Sequence, residues 1–317
     1  MKYPGMVGVC LALAVLAATS AARAQEFPIL TGDYLGQDPP GLTATPFATD
    51  LLIRPLGLSF TPDGSELYYA SWQRPRVHIV VMRLVDGRWT EPATVPFSGT
   101  YEDWDLNLSP AGTRLYFSSK RPLTNDGEPR SDSDIWYVER DASGGWGEPQ
   151  NLGPPVNTGE DEVHPTVTSD GTIYFFAGYE RGMGSADIYR SRLVDGRYTQ
   201  PENLGPPINT AIAEMDPFVA PDESYLVFHS RAEGGYGEND LYVSFRLDDG
   251  SWGAPVNMGP KVNSDGNDYC GRFSFDERFF FFTSTREDTR STYWIDASVL
   301  EELREDLRRD SSGTAIR

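Results

Sequence analysis

Eight acidic, histidine or cysteine residues occur at fixed distances before a turn that recurs along the chain. Four of these turns begin at Pro110, Ser169, Pro221 and Phe275. Five residues before each turn stand, in that order, Asp105, His164, Asp216 and Cys270. Two residues earlier stand Asp103, Glu162, Glu214 and Asp268. Residues two apart on a β-strand point to the same side, so the eight are the candidate ligand-binding residues.

Gathered carboxylates support three kinds of chemistry, and the sequence leaves all three open. Like charges held together raise one another's pKa unless a cation or hydrogen bonds compensate. The acids can cap neighbouring strands and bind loop amides, or hold a Ca²⁺-type cation through oxygen ligands. They can also supply a carboxylate pair that acts on a sugar. His164 and Cys270 break the acidic pattern, and a single-copy function is expected where a repeat is broken.

The elements that position these residues belong to an internal repeat. The stretch NLGPPVNT at Asn151 returns as NLGPPINT at Asn203 and as NMGPKVNS at Asn257. The turn, of the Pro-Asp-Gly type, begins at Pro62 and then at the four residues named above. An aromatic strand such as LYYAS or IYFFA follows each turn, and two further short strands follow it. Four short antiparallel strands repeated about every 50 residues predict a β-propeller blade.

Five turns favour a propeller of five four-stranded blades, with a sixth blade of poorly repeating residues as the alternative. The fifth unit lacks a fourth strand, and residues 41–49, GLTATPFAT, resemble fourth-strand stretches such as GRWTEPATV. The N-terminal segment is therefore predicted to close the ring and to leave no open sheet edge. A capping box at Ser298–Glu301 predicts a short C-terminal helix. The predicted units are an extension over 25–39, one propeller domain with this helix over 40–309, and a loose tail over 310–317.

The first strand of each propeller blade lines the central channel. The eight candidate residues lie on these predicted strands, so we expect them to converge on an acidic funnel at the channel mouth.

The repeat also resembles a known family. The (S/P)-(P/S)-D-G turn, the aromatic strand and the D-I-(Y/W) opening of the third strand resemble the WD40-like repeat of bacterial exported propellers, the type found in TolB. The resemblance covers about residues 40–305 and implies the propeller fold. It implies less about activity, because similar repeats occur in protein-binding modules, in the non-catalytic propellers of some peptidases and in oligogalacturonide lyases.

The N-terminus and the charge restrict location and partners. Lys2, the apolar stretch 7–18 and the sequence Ala22-Arg23-Ala24 predict a signal peptide over 1–24, cleaved after Ala24, and hence a periplasmic or secreted protein. The net charge of −20 becomes about −22 after cleavage, because the removed segment holds Lys2, Arg23 and no acid. Such a charge argues against nucleic acid or anionic membrane as partners.

These features predict an exported, non-enzymatic propeller that presents its loops and its acidic funnel to a protein or to a cell-envelope glycan. The alternative is a carbohydrate-active enzyme, a glycoside hydrolase or a polysaccharide lyase, with carboxylates at the funnel mouth. GxSxG, HExxH, Walker A and GxGxxG motifs do not occur in the sequence. We expect a monomer without a membrane span, and Ca²⁺ is the one cofactor that the acids suggest; no catalytic or metal-binding residue is assigned.

Overall fold

The computed structural model describes residues 27–73, 75–124, 127–287 and 289–311, with residues 310 and 311 described by their backbone only. The predicted signal peptide and residues 312–317 lie outside this description.

The described residues form five antiparallel sheets of four strands, each a propeller blade. The strands run, from first to fourth, as Pro55–Phe60, Glu66–Gln73, Arg76–Val85 and Ala93–Thr94 in blade 1; Asp103–Leu108, Arg114–Ser119, Asp134–Glu139 and Gln150–Asn151 in blade 2; Glu162–Val167, Ile173–Ala177, Asp187–Ser191 and Glu202–Asn203 in blade 3; Glu214–Val219, Tyr225–Ser230, Asp240–Phe245 and Val256–Asn257 in blade 4; and Asp268–Phe273, Phe279–Ser284, Ser291–Asp296 and Thr45–Pro46 in blade 5. The first strands of neighbouring blades contact one another around the ring, including blade 5 with blade 1. The five-bladed propeller is therefore confirmed.

The N-terminal strand closes the ring. Thr45 pairs with Trp294 and Pro46 with Tyr293 on the third strand of blade 5. Phe47 follows, fully buried, with its ring centroid 4.9 Å from that of Trp294. The prediction that residues 41–49 supply the missing fourth strand is confirmed.

Aromatic side chains join each blade to the next. After the third strand the chain forms a hairpin, seen as the short strands Arg88–Trp89, Leu193–Val194 and Arg197–Tyr198. The hairpin aromatic packs on the preceding blade: the Trp146 Nε1–H of blade 2 donates a 3.0 Å hydrogen bond to the Tyr68 hydroxyl of blade 1. Trp252 packs edge-on against Tyr174 in the same way between blades 4 and 3.

The repeated NLGPP(V/I)NT segment forms the connector between blades, and its second asparagine replaces part of the fourth strand. The side-chain carbonyl of Asn209 accepts from the Ile188 N–H at 2.9 Å, and its amide donates to the Ile188 carbonyl at 2.8 Å. Asn157 and Asn263 make the same pair of bonds to Ile135 and Leu241. The repeat therefore encodes a side-chain replacement for ladder hydrogen bonds that the two-residue fourth strand is too short to make.

The chain ends pack on the ring. The helix Ser298–Ser311 places Leu300 in the core of blades 4 and 5, with Leu303 and Leu307 packed against it. Near the other end, Phe27, Leu30 and a turn at Tyr34–Gly36 cover the core shared by blades 5 and 1. No helix in the described ranges is long and apolar enough to cross a membrane.

The ring has two faces. The connector face carries the connectors, the starts of the first strands and the loops between second and third strands. The turn face carries the turns between first and second strands and the hairpins that follow the third strands.

Candidate functional site

The five first strands share a backbone irregularity that determines where the candidate residues point. In each strand the pairing with the second strand shifts register at a bulge that follows its second residue. The third residue of each strand has a positive φ between 51° and 56°: Gly57, Asp105, His164, Asp216 and Cys270. Four of these five are not glycine, although the left-handed conformation costs such residues about 1–2 kcal/mol. The bulge turns the third residue away from the direction of the first, so the eight candidates separate into two sets.

The outer set consists of the first residues of the strands, Asp103, Glu162, Glu214 and Asp268. All four side chains are buried. Asp103 pairs with Arg121 at 2.6 Å and accepts bonds from two serine hydroxyls, and Asp268 pairs with Arg286 at 2.9 Å. Each aspartate is therefore neutralised by an arginine from the loop after its own second strand.

The two glutamates of the outer set use hydroxyl and amide donors instead. Glu214 accepts the Thr210 N–H at 3.0 Å and the Thr210 hydroxyl at 2.6 Å. Glu162 is bonded in the same way by Thr158 and also by the Tyr179 hydroxyl at 2.7 Å. Burial nonetheless raises the pKa of Glu162 to about 7, because these bonds only partly offset its desolvation. In each of the four blades that have an outer acid, that acid is bonded to the segment just before its own strand or to the loop after the second strand of its blade.

The inner set, made up of the left-handed residues, meets on the ring axis around Asp216. One Asp216 oxygen lies 3.3 Å from His164 Nδ1, and the other accepts a 3.1 Å bond from the Cys270 thiol. Asp105 approaches His164 Nδ1 at 3.5 Å. The structure thus brings four of the eight candidates into one polar cluster, which we call the axial cluster.

Two residues that the sequence did not single out complete the axial cluster. His229, on the second strand of blade 4, places its Nδ1 3.3 Å from Asp216. It interrupts the series of second strands LYYAS, LYFSS, IYFFA, LVFHS and FFFTS, and that break in the repeat could have revealed it. Arg272 has no such signal, because its position in the repeat varies from blade to blade.

Arg272 crosses the axis beneath the cluster. From blade 5 it reaches blade 2, where its Nη1–H donates a 2.7 Å bond to the Leu106 carbonyl. A Cβ on Gly57 would lie 3.3 Å from the guanidinium. Gly57 therefore adopts the left-handed conformation without strain and also leaves space for the Arg272 side chain.

Burial and the neighbouring histidines shift the pKa of Asp216, at the centre of the axial cluster, in opposite directions. Desolvation alone would raise the pKa of Asp216, but the facing His164 and His229 together hold it well below its usual value. Burial raises the pKa of the Cys270 thiol, and the carboxylates of Asp216 and Asp105 raise it further. Cys270 is therefore a protonated thiol that donates to a carboxylate.

Below Arg272 the channel is narrow. The cavity there has a volume of about 30 Å³ and is lined by apolar first-strand residues such as Leu58, Val167 and Phe218. A water molecule occupies roughly 30 Å³ in the liquid. This part of the channel therefore has no room for a sugar ring. The cluster is accessible from the connector face, where the side chains of Asp105 and Asp216 remain 16% and 12% exposed.

Solved structures that resemble this fold do so at low sequence identity. A TolB-like protein from Agrobacterium tumefaciens is 19% identical, with 76% of both chains aligned and a TM-score of 0.48. An α-L-arabinofuranosidase from Lactobacillus brevis is 13% identical over 80% of this chain and 90% of its own, with a TM-score of 0.50. At these identities the likeness concerns the fold alone. No family model and no curated protein matches the sequence.

Proposed function

We propose that the protein is an exported, non-enzymatic propeller that binds a protein partner through its connector face. The observation that carries this proposal is the state of the carboxylates. The four outer acids are buried in bonds within their own blades, and the inner ones surround a narrow channel crossed by Arg272. A glycosidase needs two carboxyl groups on either side of a bound sugar, roughly 5–10 Å apart, and the channel below Arg272 leaves no room for a sugar.

The connector face carries an exposed apolar patch that suits a protein partner. Met183, Ile212 and Tyr236 are 46%, 38% and 49% exposed. They lie on adjacent loops, because a Cβ on Gly184 would clash with the Ile212 carbonyl, and the Ser230 hydroxyl, just before the loop that carries Tyr236, donates to the Ala213 carbonyl at 2.8 Å. Exposed apolar groups rimmed by polar residues are typical of protein interaction sites.

Acidic side chains surround this apolar patch. Glu180, Glu233 and Glu238 are exposed on the same loops of blades 3 and 4, and Glu160 is exposed on the connector that leads into blade 3. Together with the net charge of −20, they favour a partner with a basic surface. The proposed signal peptide over 1–24 would place the encounter in a periplasm or outside the cell, and the proposed family is that of the WD40-like TolB-type propellers.

The test compares two matched triple variants. In the connector-face variant Met183, Ile212 and Tyr236 become serine; in the control, Val85, Val194 and Leu247 become serine on the hairpins of the turn face, where they are about equally exposed. Proteins of the native host's exported fraction are crosslinked to each variant and quantified. We expect one crosslinked partner, enriched in basic residues, to be lost from the connector-face variant and kept by the control.

Two results would contradict this proposal. Equal crosslinking by both variants would mean that the connector face is not the binding surface. Turnover of any member of a panel of neutral and acidic oligosaccharides, abolished by Asp216→Asn, would establish the carbohydrate-active alternative instead.

A further inference from the structure

The axial cluster contains a buried imidazole whose nitrogens have no hydrogen-bond partner among the described protein groups. His164 is fully buried, and its Nε2 makes no hydrogen bond; its Nδ1 lies 3.3 Å from Asp216 and 3.5 Å from Asp105 but makes no hydrogen bond to either. A buried polar group without a partner is costly. The Nδ1 of His229 likewise lies 3.3 Å from Asp216 without hydrogen-bond geometry. The four outer acids all have hydrogen-bond partners, so among the eight candidate residues it is the inner set that contains buried atoms without one.

Three different donor types converge beside this imidazole. One donor atom each from His164, Asp216 and Cys270 lies within 4.8 Å of the other two. Metal–ligand bonds of about 2.0 Å to nitrogen or oxygen and 2.3 Å to sulfur place tetrahedral ligands roughly 3.3–3.8 Å apart. His164 Nδ1 lies 3.3 Å from one Asp216 oxygen and Cys270 Sγ lies 3.1 Å from the other, so each of these two donors has a carboxylate oxygen at close to that spacing.

The charge of the axial cluster also suits a divalent cation. In the metal-bound state both histidines are neutral and Cys270 is a thiolate, so the charged groups around the axis are the carboxylates of Asp105 and Asp216, one sulfur anion and the Arg272 guanidinium. These leave an excess of two negative charges that a divalent ion neutralises. Buried charges are stable only when they are compensated in this way.

We propose that His164, Asp216 and Cys270 bind a divalent transition metal of the Zn²⁺ class on the propeller axis. Nitrogen and thiolate donors select such ions over Ca²⁺, which prefers oxygen ligands. The Ca²⁺ site expected from the acids is thereby replaced by a different site, made of the residues that depart from the acidic pattern. When the metal binds, the Cys270 thiol releases its proton to solvent and the sulfur coordinates as a thiolate.

His229 acts as a positioning residue for this site. Its Nδ1 faces the Asp216 oxygen that also accepts the thiol bond, so it orients the carboxylate without being one of the three ligands. Such outer partners typically change metal affinity by roughly 10- to 100-fold.

The test titrates the full chain, freed of metal with EDTA, with Co²⁺ and with Zn²⁺. Co²⁺ bound to a thiolate has a sulfur-to-cobalt charge-transfer band in the near ultraviolet, which reports the Cys270 bond directly. We expect this band to saturate at one Co²⁺ per chain and to be displaced by Zn²⁺ but not by excess Ca²⁺. Zn²⁺ should raise the melting temperature of the wild-type protein.

Variants separate the proposed ligands from other groups. Cys270→Ser should abolish the band, and His164→Gln should weaken Zn²⁺ binding by about 100-fold or more, beyond the loss of an outer partner. His78→Gln, at a histidine on the third strand of blade 1, is the matched control and should bind as the wild type does. Circular dichroism and the melting temperature without metal show whether each variant folds.

Three results would overturn the proposal. The first is a Co²⁺ complex of the wild type without a charge-transfer band. The second is a band that survives in Cys270→Ser, which would assign it to Cys10, the only other cysteine. The third is displacement by Ca²⁺, which would indicate a site of oxygen ligands.

Discussion

Among single residues, the outer acids show that the same position in the repeat can be stabilised in two ways. Asp103 has a buried arginine as counter-charge, whereas Glu162 has only neutral donors. The native pKa of Glu162, about 7, lies above its ordinary value of 4.5. Between these two values the native state binds more protons than the unfolded state, so the free energy of unfolding falls as pH rises through this range.

Glu162→Gln removes this titration while keeping the shape of the side chain. The new amide can donate to the hydroxyls of Thr158 and Tyr179, both of which can accept. We expect the free energy of unfolding of the variant to fall less than that of the wild type between pH 5 and pH 8, by about 2 kcal/mol. Urea unfolding at a series of pH values measures the difference.

Asp103→Asn is the contrasting variant, because it leaves the Arg121 guanidinium buried without a counter-charge. Breaking one side of a buried ion pair costs about 3–5 kcal/mol, and we expect that loss across the whole pH range. If the free energy of unfolding of Glu162→Gln changed with pH in the same way as that of the wild type, Glu162 would not be the titrating group.

At the scale of elements, the connector stabilises each blade through one side chain. Asn209 is fully buried and also donates a 2.7 Å bond to the side-chain oxygen of Asn203. Asn209→Ala would leave the Ile188 N–H and carbonyl without partners. Since an orphaned buried group costs about 1–3 kcal/mol, we expect a loss of about 2–4 kcal/mol in the free energy of unfolding, measured in urea.

Two comparisons make this prediction specific. Asn209→Asp keeps the acceptor for the Ile188 N–H but loses both donations, and should also destabilise the protein at neutral pH. Glu233→Ala, on an exposed loop, should change stability by less than about 0.5 kcal/mol. An Asn209→Ala protein as stable as the Glu233→Ala protein would mean that the connector bonds are replaced by water.

An element could be predicted from the sequence where it has a residue pattern that recurs from blade to blade. The turns and aromatic strands predicted the five blades because the same sequence pattern occurs in every blade. Residues 41–49 could be recognised as a fourth strand because they resemble the fourth-strand sequences of other blades. The bulges could not be predicted in the same way. Asp105, His164, Asp216 and Cys270 give no signal of a left-handed backbone, and only Gly57 at the equivalent position hints at it. The sequence placed all eight candidates on one side of their strands, and the bulge separates them.

For the molecule as a whole, the strand Thr45–Pro46 joins the N-terminal segment to blade 5 and so closes the ring. Without this strand, the third strand of blade 5, Ser291–Asp296, would present an unpaired edge, and such edges pair with other chains. The fully buried Phe47 would also be lost from the core beside Trp294. Since removing a buried phenylalanine side chain alone costs about 3–5 kcal/mol, ring closure is expected to contribute a large part of the total stability.

Three truncations isolate this contribution. Deletion of residues 1–26 leaves the described fold intact and serves as the control. Deletion of 1–39 also removes the packing of Phe27, Leu30 and Tyr34, and deletion of 1–49 removes the closing strand as well. We expect the largest drop in melting temperature between the last two, accompanied by oligomers that grow with protein concentration in light scattering.

A synthetic peptide of residues 40–50 should restore the monomer and raise the melting temperature, because it can occupy the open edge. If the chain without 1–49 melted like the chain without 1–39 and stayed monomeric, the blade 5 edge would be stable unpaired and ring closure would not hold the propeller together.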